Sequence, residues 1–151
     1  MPVEMPINDL SEALAEKVHN FASDALMIAL SNTAPSAESS NPTSSGNGLL
    51  ANVTQIPYTN YSDDMTVARR LEGISSDETG GEYTLDASDI VITADGGAPP
   101  TWRYLYIYND TASGKPLIHC IDFEVETSLG DGDSVTIRWE ADGIVVLGPL
   151  T

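Results

Sequence analysis

One cysteine, six basic residues and two histidines are all this 151-residue chain holds of the side chains that most often carry thiol, cationic or imidazole chemistry. With Cys120 alone, no intrachain disulfide forms and four-thiolate metal sites are excluded. Its neighbours His119 and Ile121 lie in an apolar run, which suits a buried, inert thiol rather than a nucleophile. Against six bases stand 23 acids, for a net charge of −17. Affinity for nucleic acid comes chiefly from Lys and Arg displacing counterions, so neither a nucleic acid nor an anionic membrane is expected as a direct partner. Such acidity keeps a protein soluble at high local concentration. No apolar run approaches the roughly 18 residues of a membrane span. The first 21 residues show neither the basic nor the apolar region of a signal peptide, so none is expected.

Motifs for chemistry are equally scarce. There is no Walker loop, no G-x-G-x-x-G and no G-x-S-x-G. The segment "SLGDGDSV" sets Asp131 and Asp133 two apart around a glycine, but lacks the later ligands of a calcium loop and reads as a turn. Asp63 and Asp64 read as another polar turn. His19 and His119 have no second ligand at metal spacing, which suggests packed imidazoles. Asp122 and Glu124 form the one carboxylate pair that invites an acid/base reading, in a chain where acids are too frequent for a pair to mean much. The sequons at Asn52, Asn60 and Asn109 matter only in a secreted glycoprotein. No catalytic residue, cofactor or metal is expected.

What the chain does have is alternation. Short runs at spacings of roughly ten residues, bounded by turn residues, predict a mainly β fold: a single β-sandwich or small β-barrel, possibly jelly-roll-like, with one N-terminal helix. The helix is placed at about residues 10–21, because Leu10, Leu14, Val18 and Phe21 share a face. Asp9 is its expected N-cap, with Glu12 at capping-box spacing. Residues 1–8 precede it as an extended arm with Met1, Val3, Met5 and Ile7 on alternate positions, and residues 9–151 form the single domain. From Ala25 onward Leu26, Ile28 and Leu30 alternate with Ala25, Met27 and Ala29 and read as a strand buried on both sides, and residues 33–48 read as a long exposed loop. In "SVTIRW", Val135, Ile137 and Trp139 are expected to face inward.

The stretch "WRYLYIYNDTASGKPLIHCIDFE" is a hairpin whose first strand alternates Trp102, Tyr104, Tyr106 and Tyr108 with Arg103, Leu105 and Ile107. Such a strand must be covered on both faces. Core packing, a subunit interface and a sugar-binding surface all fit this pattern, and the first two are favoured because Tyr and Trp bury much area while keeping a polar tip.

The blocks "LMIALSNTAP", "LANVTQIPYTN", "RYLYIYNDTASGKPLIHCIDF", "DGDSVTIRW" and "GIVVL" resemble a family of small tailed-bacteriophage structural proteins encoded among head genes. The resemblance runs from about Leu14 to Leu147. The chain departs from it at Met27, where a charged residue is usual, and at Glu124, near where a glycine often follows the second hairpin strand. The resemblance implies a capsid decoration or cement protein on the virion exterior, made in the host cytoplasm, with the major capsid protein and further copies of itself as partners. A tail or fibre component and a host-glycan-binding module are the alternatives. A trimer is expected before a dimer, on the ground that one small domain has limited means to cover both faces of the Trp102–Tyr108 strand. Val3, Met5, Ile7, Leu10, Leu14 and Val18 are the residues expected to attach to the capsid.

Overall fold

The computed structural model describes residues 2–62 and 70–148, so Met1, Asp63 and Asp64 lie outside the described residues. Nine strands and one short α-helix are present among them. The main sheet has four antiparallel strands in the order β1 (Val3–Met5), β7 (Leu117–Thr127), β6 (Trp102–Asn109) and β2 (Leu26–Ser31). A three-stranded sheet orders β3 (Ser75–Thr79), β4 (Glu82–Asp86) and β9 (Val145–Leu147), and β5 (Ile90–Thr93) pairs with β8 (Ser134–Ile137). Packing is sandwich-like, and none of these sheets closes into a barrel.

The alternation of β2 and β6 builds two cores. Leu26, Ile28 and Leu30 with Leu105, Ile107 and Ile118 face Leu85, Ile90, Ile92, Ile137 and Val145 of the smaller sheets. Met27 and Ala29 with Tyr104, Tyr106, Tyr108, Leu117 and Cys120 form a second cluster on the opposite face, covered by Ile7 and Val53. Val135 and Trp139 pack against the first core around Ile137, as their alternation requires.

Both faces of β6 are therefore covered within the chain. The strand is core rather than subunit interface, and it supplies no ground for a trimer. Its four aromatics also do not share a face: Trp102 joins the first core and meets Phe123 edge-on, with ring centroids 5.3 Å apart, whereas the three tyrosines lie in the second. The cause is a break in pairing. β6 advances from Trp102 to Tyr104 while β7 runs from Thr127 back to Asp122, with Glu124 at φ +66° inside the irregularity.

The arm is extended, as expected, but it is not free. Val3, Glu4 and Met5 pair with Asp122, Ile121 and Cys120, and Ile7 is 5% exposed in the second core. Pro2 and Pro6 flank the three-residue strand at the sheet edge, where the missing N–H groups break no ladder.

The loop expected to be exposed is packed too. Pro35, Pro42 and Gly48 are buried. Asp9 does not cap the helix; its two carboxylate oxygens accept hydrogen bonds from the N–H groups of Gly46 (2.8 Å) and Gly48 (2.9 Å). A side chain at Gly48 would strike that carboxylate, its Cβ lying 2.9 Å from Asp9 Oδ2. Gly48 in turn accepts from Leu117 N–H at 2.9 Å, so the loop is clamped to β7.

Helix α1 spans only Leu10–Ala15, a correction to the expected 10–21. Lys17 enters the left-handed region at φ +61°, and Val18 N–H bonds back to Ala13 O at 2.8 Å, which closes the helix. Leu10 and Leu14 pack against the first core, but Val18 is left 37% exposed and Phe21 reaches the core from irregular chain. Lysine is an uncommon left-handed residue, and glycine takes that conformation without steric cost. Lys17→Gly should therefore raise stability by about 1 kcal/mol in urea unfolding; a loss would mean that the Lys17 side chain itself stabilises the turn.

Candidate binding groove

Two sheet edges come together at one side of the molecule. β1 ends the main sheet and β9 ends the three-stranded sheet, and between them opens a groove of about 350 Å³. Ile118 and His119 of β7 lie between the walls. Glu4, Pro6, Ile7 and Leu10 line one wall, and Ile144, Val145, Val146 and Leu147 the other. Beyond Leu147 the groove passes into an open pocket of about 450 Å³ bounded by Leu14, Lys17, His19, Phe21 and Tyr83. Past His119 and Ile144 it narrows to a recess that reaches Phe123, Arg138, Trp139 and Glu140.

Exposed large apolar side chains are scattered, with Val125 and Val91 the most exposed, but β9 carries two adjacent ones. Val146 and Leu147 keep 42% and 40% of their surface exposed, while Val145, turned inward, is buried. The register pairs Tyr83 with Leu147, Thr84 with Val146 and Leu85 with Val145, leaving the other side of β9 toward the groove.

Both histidines border this surface. His119 Nε2 lies 3.7 Å from Glu4 Oε1, a contact that ties the arm to β7. His19 has a defined tautomer. Asn109 Oδ1 accepts from Thr111 and Ala112 N–H, so its Nδ2 donates to Asp24 Oδ2 at 2.6 Å and faces His19 Nδ1 at 3.0 Å. Nδ1 is thus the acceptor and the proton sits on Nε2, which is buried without a partner among the described residues. The same network buries the Asn109 amide completely.

Burial holds both imidazoles below their ordinary 6.5, with Asp24 and Glu4 partly opposing it. The unfolded chain therefore binds more protons than the folded one between each folded pKa and 6.5. The stabilisation is complete above pH 6.5 and is lost as pH falls through the folded values. Acid also relieves the repulsion of a −17 chain, so the histidine effect has to be read as a difference. Replacing both histidines with Gln should make melting temperature fall less, or rise more, than in the wild type between pH 7.5 and 5.5. A constant gap between variant and wild type would count against this.

The other candidates fall elsewhere. Cys120 is buried, and burial pushes its thiol up to about 12, which leaves no thiolate at neutral pH. Asp122 is held bidentately by Arg103, at 2.6 Å from Nε and 2.8 Å from Nη2, and also accepts from Glu124 N–H. Arg103 holds that carboxyl below the usual range, the opposite of what a general acid requires. Asp131 and Asp133 accept from the N–H groups of Gly96 and Gly130, which makes them turn residues. Among the described residues no group of three or more His, Cys, Asp or Glu is placed to hold a metal.

Of the six attachment residues expected from sequence, Ile7 and Leu10 stand in the groove and Leu14 in the pocket beyond it. Val3 is exposed at the sheet edge, Met5 packs on the second core and Val18, exposed, is not among the residues of these linings. Trp102 and the three tyrosines take no part. Sequence reading missed Val146 and Leu147, although "IVVL" is apolar at successive positions, more than one inward face can bury. No protein-family model, curated protein or solved structure matches this chain.

Proposed function

We propose that this protein is a non-enzymatic structural component of a tailed-bacteriophage virion, a capsid decoration or cement protein that binds the outside of the major capsid lattice and stabilises the head. The observation that carries this reading is the groove: an open channel between two strand edges, lined by apolar side chains together with Glu4 and His119, suits another protein's chain. A second observation supports the resemblance on which it draws. Glu124, near where that family has glycine, adopts φ +66°, a conformation natural to glycine. A protein displayed in many copies also benefits from the solubility that a charge of −17 confers. Each bound copy would stabilise assembled shells by mass action.

Mass spectrometry of purified particles from the parent source, followed by electron cryo-microscopy, tests the proposal. Density of this fold on the head shell is the expected result. Density on the tail would replace cement with a tail component, and absence of the chain from purified particles would overturn both.

A further inference from the structure

We propose that the groove seats an extended segment of a partner protein, which adds as a strand along the free edge of β9 and carries apolar side chains at alternate positions with Lys or Arg at its flanks. The inference rests on the reading that this protein's task is to bind another protein, but not on that partner being a capsid.

The two edges of the groove differ in how they are defended. Natural sheets blunt their edges with proline, charge or bulges. β1 is flanked by Pro2 and Pro6 and carries Glu4 at its centre. β9 reads Val-Val-Leu with no charge or proline within it, its defences being its three-residue length and the Gly148-Pro149 that follows in sequence, and two of its three side chains are about two-fifths exposed. An apolar edge so lightly defended persists in a soluble chain when something covers it. Main-chain hydrogen bonds along β9 would supply affinity, and pockets for alternate side chains would supply selectivity. The pocket beyond Leu147, floored by Phe21 and Tyr83, is placed for one such side chain.

Charge selects the partner. Around the groove Glu4 and Glu140 are offset by Lys17 at the pocket beyond Leu147 and by Arg138, which lies 4.0 Å from Asp89, so the selection comes from the charge of the whole chain. In a chain of net charge −17 an acidic segment is repelled, and a second copy of the chain brings the same charge. A basic, apolar strand meets both requirements.

The probe is a seven-residue acetylated and amidated peptide alternating Val with Thr between terminal lysines, together with its Glu-flanked counterpart. Titrated into the 15N-labelled full chain, the Lys-flanked peptide should give saturable shifts at residues 145–147 and His119, with the Glu-flanked peptide at least tenfold weaker. The double variant Val146→Lys, Leu147→Lys should abolish the response. If that variant fails to fold, Glu4→Lys with Glu140→Lys should weaken the Lys-flanked peptide at least fivefold and strengthen its counterpart. Shifts confined to another edge, no response at millimolar peptide, or equal binding of both peptides would each overturn the proposal. Concentration-dependent dimerisation lost in the double variant would do so in favour of a second copy. Should the chain be found on virions and the folded double variant still bind at wild-type occupancy, the groove assignment fails while the virion reading stands. Absence from virions with intact peptide binding is the reverse case.

Discussion

Removing residues 2–8 should cost the domain at least about 3 kcal/mol and lower its melting temperature by roughly 6–12 °C. Ile7 alone accounts for much of this. It is 5% exposed against Tyr104, Tyr106, Tyr108 and Leu117, and truncating a buried isoleucine to alanine costs about 2–5 kcal/mol. The deletion also strips β7 of its outer partner and removes the Asn8 N–H bond to Thr43 O, one of the ties between the arm and the loop over the second core. A free arm would behave differently, because its removal would leave the melting curve where it was. Calorimetry of the truncated chain and of Ile7→Ala separates the cases. Equal melting temperatures for truncated, Ile7→Ala and full-length chains would show that the strand pairing in the structure contributes nothing in solution. Loss of particle binding by the truncated chain would then need the folded fraction measured first.

The arm shows where sequence reading reached and where it stopped. Its extended form and its alternating apolar face were legible from Val3, Met5 and Ile7, since period two is a local property. The destination of that face was not, because it depends on β7, more than a hundred residues away. The same limit explains the loop. Its composition is that of a solvated linker, yet Asp9 gathers it by two N–H groups, and nothing local distinguishes such a carboxylate from a helix cap. β2 and the inner part of β6 were readable because six and eight nearly continuous apolar positions leave little alternative to burial on both faces.

Trp102 was misplaced for a different reason. Period two carries a side chain to the right face only while the pairing is regular, and the irregularity opposite Arg103 resides in β7, where it shows as a left-handed Glu124 rather than a glycine. Strand β3, and with it the hairpin that joins it to β4, was missed although its signal was present. "TGGE" joins the strands through Gly80 and Gly81, both at positive φ, the signature of a two-residue hairpin turn, but "SSDET" offers no apolar alternation to draw attention to it. Of the candidate site, the walls contributed by Ile7, Leu10 and Leu14 were legible as apolar stripes. The facing wall depends on β9 pairing with β4 and not with the main sheet, a choice made by tertiary packing.

That choice turns on Gly143. It sits at φ +98° just before β9, and a Cβ built there lies 2.7 Å from Thr84 Cγ2 and 2.8 Å from Leu85 O. Neither neighbour can yield cheaply, since Leu85 is fully buried and its carbonyl accepts the Ile144 N–H at 2.7 Å, next to where β9 begins. Alanine at this position must push β9 away from β4 or abandon that hydrogen bond. Gly143→Ala should therefore cost about 3 kcal/mol or more, combining left-handed strain of roughly 1–2 kcal/mol with the steric clash. Gly132→Ala is the matched control. Gly132 is at φ +85° with nothing within 4 Å of its Cβ, so it reports the backbone strain alone. Urea unfolding of the two variants should place Gly143→Ala well below Gly132→Ala, and hydrogen exchange should show the amides of 145–147 opening first. Equal losses in the two variants would mean that the close approach to β4 does not hold β9, and that this wall of the groove is set by Leu85 and Val145 packing alone.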